Sequence, residues 1–116
     1  MVKLFTVEQR RRLLEEELYR IIETLKREYD PEKIILFGSL TKDNIHEWSD
    51  IDLVIIKKTS KRMIDRILEV TQLVNPKVGI DLFIYTPDEF AILVREKSPF
   101  IMKIVKEGKV LYEKGN

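Results

Sequence analysis

Phe37-Gly38-Ser39 and, further on, Ser49-Asp50-Ile51-Asp52-Leu53-Val54-Ile55-Ile56 decide how this chain reads. The second run is rich in β-branched residues and short, so it reads as a strand rather than a helix. Strand side chains alternate, which puts Asp50 and Asp52 on one face with a single apolar residue between them. Two like charges side by side at the start of a buried strand are costly unless a cation neutralises them. Ligands made only of oxygen select a hard cation such as magnesium. Upstream, Ile34-Ile35-Leu36-Phe37 is a short buried strand that ends at Gly38-Ser39. Gly38 lets the backbone approach a phosphate closely, and Ser39 supplies a hydroxyl and an N–H where the strand ends. The two stretches together point to a metal-dependent nucleotide-binding site.

A third acid extends the pattern. Gly79 to Tyr85 reads as another strand, with Ile80, Leu82 and Ile84 on one face and Asp81, Phe83 and Tyr85 on the other. If this strand lies close to that of Asp50 and Asp52, three carboxylates meet and could hold two magnesium ions. Such ions, about 3.5–4 Å apart, clamp the attacking and leaving oxygens of an in-line displacement at phosphorus. An Asp-x-Asp by itself is usually a solvated strand end. Its combination with Gly38-Ser39, Ser49 and Asp81 is what carries the chemical reading.

The remaining elements follow in order. Thr6-Val7-Glu8-Gln9 is a capping box, and Leu14, Leu18, Ile21 and Leu25, broadened by Leu13 and Ile22, form one apolar helix face. Arg10, Arg11 and Arg12 precede Glu15, Glu16 and Glu17. Helical spacing sets Arg11 over Glu15 and Arg12 over Glu16, a solvated, self-paired face rather than a nucleic-acid patch. Asp30-Pro31 is a turn. Ser60 is expected to cap a second helix carrying Met63, Ile64, Ile67, Leu68 and Thr71 inward, closed by Asn75-Pro76. Thr86-Pro87-Asp88-Glu89 is a second capping box, Ser98-Pro99 starts another helical turn, and Gly108 stops it. Lys109 to Glu113 is expected as an edge strand open to pairing between chains as a homo-oligomer. The alternation of helices and strands describes an α/β (α+β) sheet domain.

Composition sets the outer bounds. With 116 residues, 44% of them hydrophobic, the chain is expected to form one domain over 1–116 with a sizeable core and no separate substrate domain. The acceptor of the chemistry is then expected to bind from outside. A net charge of +1, from 21 basic and 20 acidic residues, asks for neither nucleic acid nor an anionic membrane. The absence of cysteine excludes disulfides, thiolate metal sites and a Cys nucleophile. Met1-Val2-Lys3-Leu4-Phe5 lacks the long apolar region of a signal peptide, so a soluble, cytoplasmic protein is expected. His46, the only histidine, is not placed to act as base for Ser39 and reads as an exposed loop residue. Trp48 reads as stacking on a base or packing its loop. Lys57, Lys58, Lys61 and Arg62 read as soluble surface.

Gly38-Ser39, Ser49-Asp50-Ile51-Asp52-Leu53 and Asp81 resemble the pattern of the DNA polymerase β-like nucleotidyltransferase superfamily. The chain looks most like the minimal nucleotidyltransferases (MNT) of bacteria and archaea, the antitoxins of HEPN/MNT toxin–antitoxin pairs. The resemblance implies a nucleotidyltransferase fold with a mixed sheet packed against helices. It implies that Gly38 and Ser39, with Lys42 and Ser49, hold the nucleotide phosphates, and that Asp50 and Asp52 bind both magnesium ions. Asp81 would be the third ligand, orienting or deprotonating the acceptor hydroxyl. The implied reaction moves AMP from magnesium ATP onto a hydroxyl, a tyrosine of a HEPN-type toxin, and releases pyrophosphate. The family often follows Gly-Ser with an Arg-Ala-Arg-Gly-like run, where this chain has Leu40-Thr41-Lys42-Asp43; Lys42 replaces one positive charge without an arginine's bidentate grip. Two other readings remain: an antitoxin that acts by occlusion without catalysis, and transfer to a small molecule as in aminoglycoside-modifying relatives, which usually carry an additional helical domain.

Overall fold

The computed structural model describes residues 6–42, 45 and 49–115; Asp43, His46 and Trp48, named above, lie outside them. Four strands, β1 (Lys33–Phe37), β2 (Ile51–Ile56), β3 (Ile80–Tyr85) and β4 (Lys109–Glu113), form one sheet in the order β3-β2-β1-β4. β1 runs antiparallel to β2 and β4, whereas β2 and β3 are parallel. The sheet is therefore mixed, with β4 at one edge as the sequence suggested. The β2–β3 connection is the crossover that a parallel pair requires, and α2 (Met63–Val74) supplies it.

Helices cover both faces. Against one lie α1 (Val7–Glu28) and α2, packed on Ile34, Leu36, Leu53, Ile55, Leu82 and Ile84. Against the other lie α3 (Pro87–Arg95) and α4 (Pro99–Glu107), over Ile35, Val54 and Ile56. β2 is thus buried on both faces, which explains its unbroken apolar run after Asp52. No helix among the described residues is long and apolar enough to cross a membrane.

Local chemistry starts and stops these elements. Thr6 Oγ1 accepts from Gln9 N at 3.1 Å while Gln9 Oε1 accepts from Thr6 N at 2.9 Å, so the expected capping box opens α1. Thr86 and Glu89 close the same reciprocal pair at α3. Asn75 ends α2 in the left-handed conformation at φ 44°. α1 buries Leu14, Ile21, Ile22 and Leu25, each worth about 1.5–3 kcal/mol when removed from water. It also buries Glu17, which accepts from Arg20 Nε and Nη2 at 2.8 Å and from Lys77 N at 2.6 Å. Arg20 Nη2 donates in turn to the Val74 carbonyl at 2.8 Å, tying α1 to the end of α2.

Two local expectations fail at α2. Ser60 does not cap it: the helix begins at Met63 with Arg62 before it and no side-chain cap. Ile64 and Leu68 point outward, 54% and 51% exposed, while Arg66 is buried on the inner side with Val70 and Val74. Arg66 tolerates burial because its donors are satisfied. Nη1 reaches the Ile84 carbonyl at 2.9 Å and Glu89 Oε1 at 2.7 Å, and Nε reaches the Lys61 carbonyl at 2.7 Å.

Candidate active site

The antiparallel pairing of β1 with β2 sets Phe37 opposite Asp52, and the parallel pairing of β2 with β3 sets Asp52 opposite Asp81. One row of side chains therefore crosses three strands as Phe37, Asp52, Asp81, on the face shared with α3 and α4. The sequence expectation that Asp81 would stand beside Asp50 and Asp52 is met by this register for Asp52 alone; Asp50 lies before β2 and its carboxylate is 3.5 Å from Arg10. Asp52 is half-buried and Asp81 exposed. The Asp52 carboxyl is pushed up to about 7, first by burial, then by its hydrogen bond with Asp81, then by the charges of Asp81 and Asp50. Carboxylates crowded in this way hold their charge poorly without a counter-ion.

Glycine makes room for both strand acids. Gly38 leaves β1 at φ 80°, and a Cβ there would collide with Asp52 Oδ2. Gly79, just before β3, would strike the Asp50 carboxylate if it carried a Cβ. Past Gly38 the chain enters a 3-10 turn, Ser39–Thr41, in which Thr41 Oγ1 donates to the Gly38 carbonyl at 2.6 Å and Thr41 N to the same oxygen at 3.1 Å. The turn follows directly from Gly38, which lies against Asp52. Lys42 follows, exposed, its Nζ 2.7 Å from Glu107 Oε1 at the end of α4.

Ser49 is buried, 3% exposed, and its carbonyl accepts from Arg10 Nε at 3.0 Å and Nη2 at 2.7 Å. The same guanidinium lies 3.5 Å from Asp50 Oδ1, a carboxylate that is half exposed. Arg10 thus clamps the segment entering β2, which a reading of Arg10 to Arg12 as solvated surface missed. Arg11, 3.9 Å from Glu15, and Arg12, exposed, follow that reading. Gly79 was likewise read only as a strand start. Its closeness to Asp50 depends on strand pairing that no local pattern encodes.

The donor set fits a hard divalent cation at Asp52 and Asp81, which face one another and offer only oxygen. Asp50 lies within electrostatic reach of Asp52 but leans toward Arg10. Among the described residues no group of three or more His, Cys, Asp or Glu side chains is gathered closely enough to hold a metal ion.

A mixed sheet with a Gly-Ser turn at the end of one strand and paired acids at the start of the next two defines a nucleotidyltransferase. The family model described as Polymerase beta, Nucleotidyltransferase matches residues 19–116, and the chain belongs to that family. A crystal structure of a nucleotidyltransferase from Sulfolobus solfataricus shares the fold with a TM-score of 0.66 at 17% identity, over 98% of this chain and 93% of that one. A mutant MntA-HpeT toxin-antitoxin structure matches with a TM-score of 0.55 at 24% identity, over 84% of this chain and 72% of that one. A toxin-antitoxin structure with AMP-PNP matches with a TM-score of 0.55 at 23% identity, over 83% and 73%. No curated protein matches the sequence.

Proposed function

We propose that this protein, one nucleotidyltransferase domain over 1–116, transfers a nucleoside monophosphate, AMP from magnesium ATP, onto a hydroxyl of a partner protein. It acts as the antitoxin of a toxin–antitoxin pair. The observation that carries the proposal is the register that sets Asp52 against Asp81 while Gly38 closes on Asp52; this supports reading the Gly38-Ser39 turn as the phosphate holder beside those acids. The partner reading draws support from the toxin–antitoxin complexes among the similar structures, and the nucleotide reading from the AMP-PNP named with one of them.

In this reading Gly38, Ser39, Lys42 and the Ser49 segment hold the triphosphate. Asp50, Asp52 and Asp81 hold magnesium, with the Asp50 carboxylate turning from Arg10 toward the other two. Magnesium, when bound, supplies positive charge to the phosphoryl oxygens. The acceptor hydroxyl oxygen attacks the α-phosphorus, the bond to the β-phosphate oxygen breaks, and pyrophosphate leaves. Asp81, exposed at the mouth, orients the hydroxyl or takes its proton. Asp81, exposed on the edge strand β3, suits an acceptor presented by a separate protein, a tyrosine of a HEPN-type toxin.

The test incubates the protein and the product of the neighbouring gene with magnesium and ATP labelled on the α- or the γ-phosphate. Label on the partner from the α-position alone supports nucleotidyl transfer. Label from the γ-position would mean phosphoryl transfer instead, and no label on a partner that binds would leave occlusion.

A further inference from the structure

Between the 3-10 turn and α4 lies a cleft of about 230 Å³ whose walls are Phe37, Phe100 and Ile104 and whose rim carries Lys42, Lys103 and Glu107. Its wall on the β1 side is Gly38, the residue that also closes on Asp52. We propose that this cleft seats the base of the nucleotide, an aminopurine ring slotted beside Phe100 and Phe37. The proposal rests on the phosphate-binding reading of Gly38-Ser39 and adds to it where the base lies and what selects it.

Size comes first. Sites for whole drug-sized ligands run to roughly 300–1,000 Å³. A cleft below that range takes a ring and leaves sugar and phosphates outside, and the way out along its wall leads over Gly38 to the acids. Shape agrees with this: the Phe37 and Phe100 rings meet edge to face, 5.5 Å apart at 84°, offering a flat heterocycle both an aromatic face and an edge. Chemistry agrees as well. The mouth presents an ammonium donor at Lys103 and a carboxylate acceptor at Glu107, the complement of a ring nitrogen next to an exocyclic amine. Glu107 is fixed by its 2.7 Å pair with Lys42, which also pins the turn that forms the opposite wall.

The experiment measures binding of ATP, ITP and inorganic tripolyphosphate, each with magnesium, to the wild type and to three variants. Phe100→Leu keeps an apolar wall but removes the ring. Lys103→Trp, at an exposed position, fills the cleft from its rim. Glu107→Gln removes the charge that accepts from an amine. Circular dichroism and melting temperature accompany each variant. The wild type is expected to bind ATP more tightly than tripolyphosphate, and more tightly than ITP, which lacks the amine. Phe100→Leu should weaken ATP about five- to tenfold, as loss of one stacking contact does, and Lys103→Trp should weaken it by occupying the cleft, while each changes tripolyphosphate about twofold or less. Glu107→Gln should reduce the preference for ATP over ITP. If ATP binds no tighter than tripolyphosphate, or the folded variants affect both equally, the base does not lie here. If the variants spare ATP binding but abolish transfer, the cleft belongs to the acceptor and the proposal is overturned. Failure of tripolyphosphate itself to bind would overturn the phosphate reading underneath.

Discussion

Asp52 of β2 and Asp81 of β3 stand opposite one another in a parallel pairing, half in and half out of the protein. Like charges at that spacing are kept at a cost to stability, a pattern that belongs to active sites rather than to cores. Asp52→Asn should therefore leave the melting temperature unchanged or raise it by a few degrees, while nucleotidyl transfer falls by about 100-fold or more. Paired melting curves and transfer rates check both halves. A variant that loses stability along with activity would mean that the acids are structural.

Gly38 is more exacting than Gly79. Alanine at 38 meets Asp52 Oδ2 and must also hold φ 80°, so Gly38→Ala should lose roughly 1–3 kcal/mol as well as activity. Alanine at 79 meets only the Asp50 carboxylate, a half-exposed side chain that can swing away. Gly79→Ala should then keep its stability within about 1 kcal/mol and still slow transfer by displacing Asp50. Urea unfolding beside a transfer assay separates the two.

Arg10 acts through Ser49 and Asp50 rather than on a substrate. Arg10→Ala removes two charge-assisted hydrogen bonds to the Ser49 carbonyl, which should cost about 1–2 kcal/mol and, by loosening Ser49 and Asp50, lower both kcat and ATP affinity. Arg10→Lys, with one donor direction in place of a fork, should recover part of kcat. No change in kcat or ATP affinity in a folded Arg10→Ala would instead show that this clamp does not position the site.

Acid stability should depend on Glu17. The hydrogen bond from Arg20, more than offsetting burial and joined by that from Lys77 N, lowers its carboxyl from 4.5 to about 2. The group is depressed in the folded state, so its contribution is complete above pH 4.5 and is lost as pH falls from there toward 2. Over that window the wild type should lose about 2–3 kcal/mol through this group. Glu17→Gln should start lower at pH 7 and slope less across the window, which denaturant titrations at several pH values would reveal.

Asp52 was legible in sequence as an acid near the start of an apolar, β-branched strand, whereas Asp50, read as sharing its face, precedes β2 and has its carboxylate 3.5 Å from Arg10. Asp81 was legible as an acid on an otherwise apolar strand, and Gly38 as the residue where β1 ends in a turn, which it does at φ 80°. Arg10 was not, because its partner is a main-chain carbonyl 39 positions away, whereas helical spacing rules see only neighbours three or four residues off. The inner face of α2 was misread for a related reason. A buried arginine is stable only when its donors find partners, and those of Arg66 come from Lys61, Ile84 and Glu89 once β3 and α3 have packed against it. The cleft beside Gly38 joins residues from β1, the turn and α4, which only the folded chain brings together.

The most direct measurement is the intact mass of the partner protein after co-purification with the wild type and, separately, with the Asp52→Asn variant. The account predicts a partner carrying added AMP with the wild type, localised by peptide mapping to a tyrosine, and an unmodified partner with the variant. An unmodified partner in both preparations, bound and inhibited equally well, would contradict it and make the protein an occluding module.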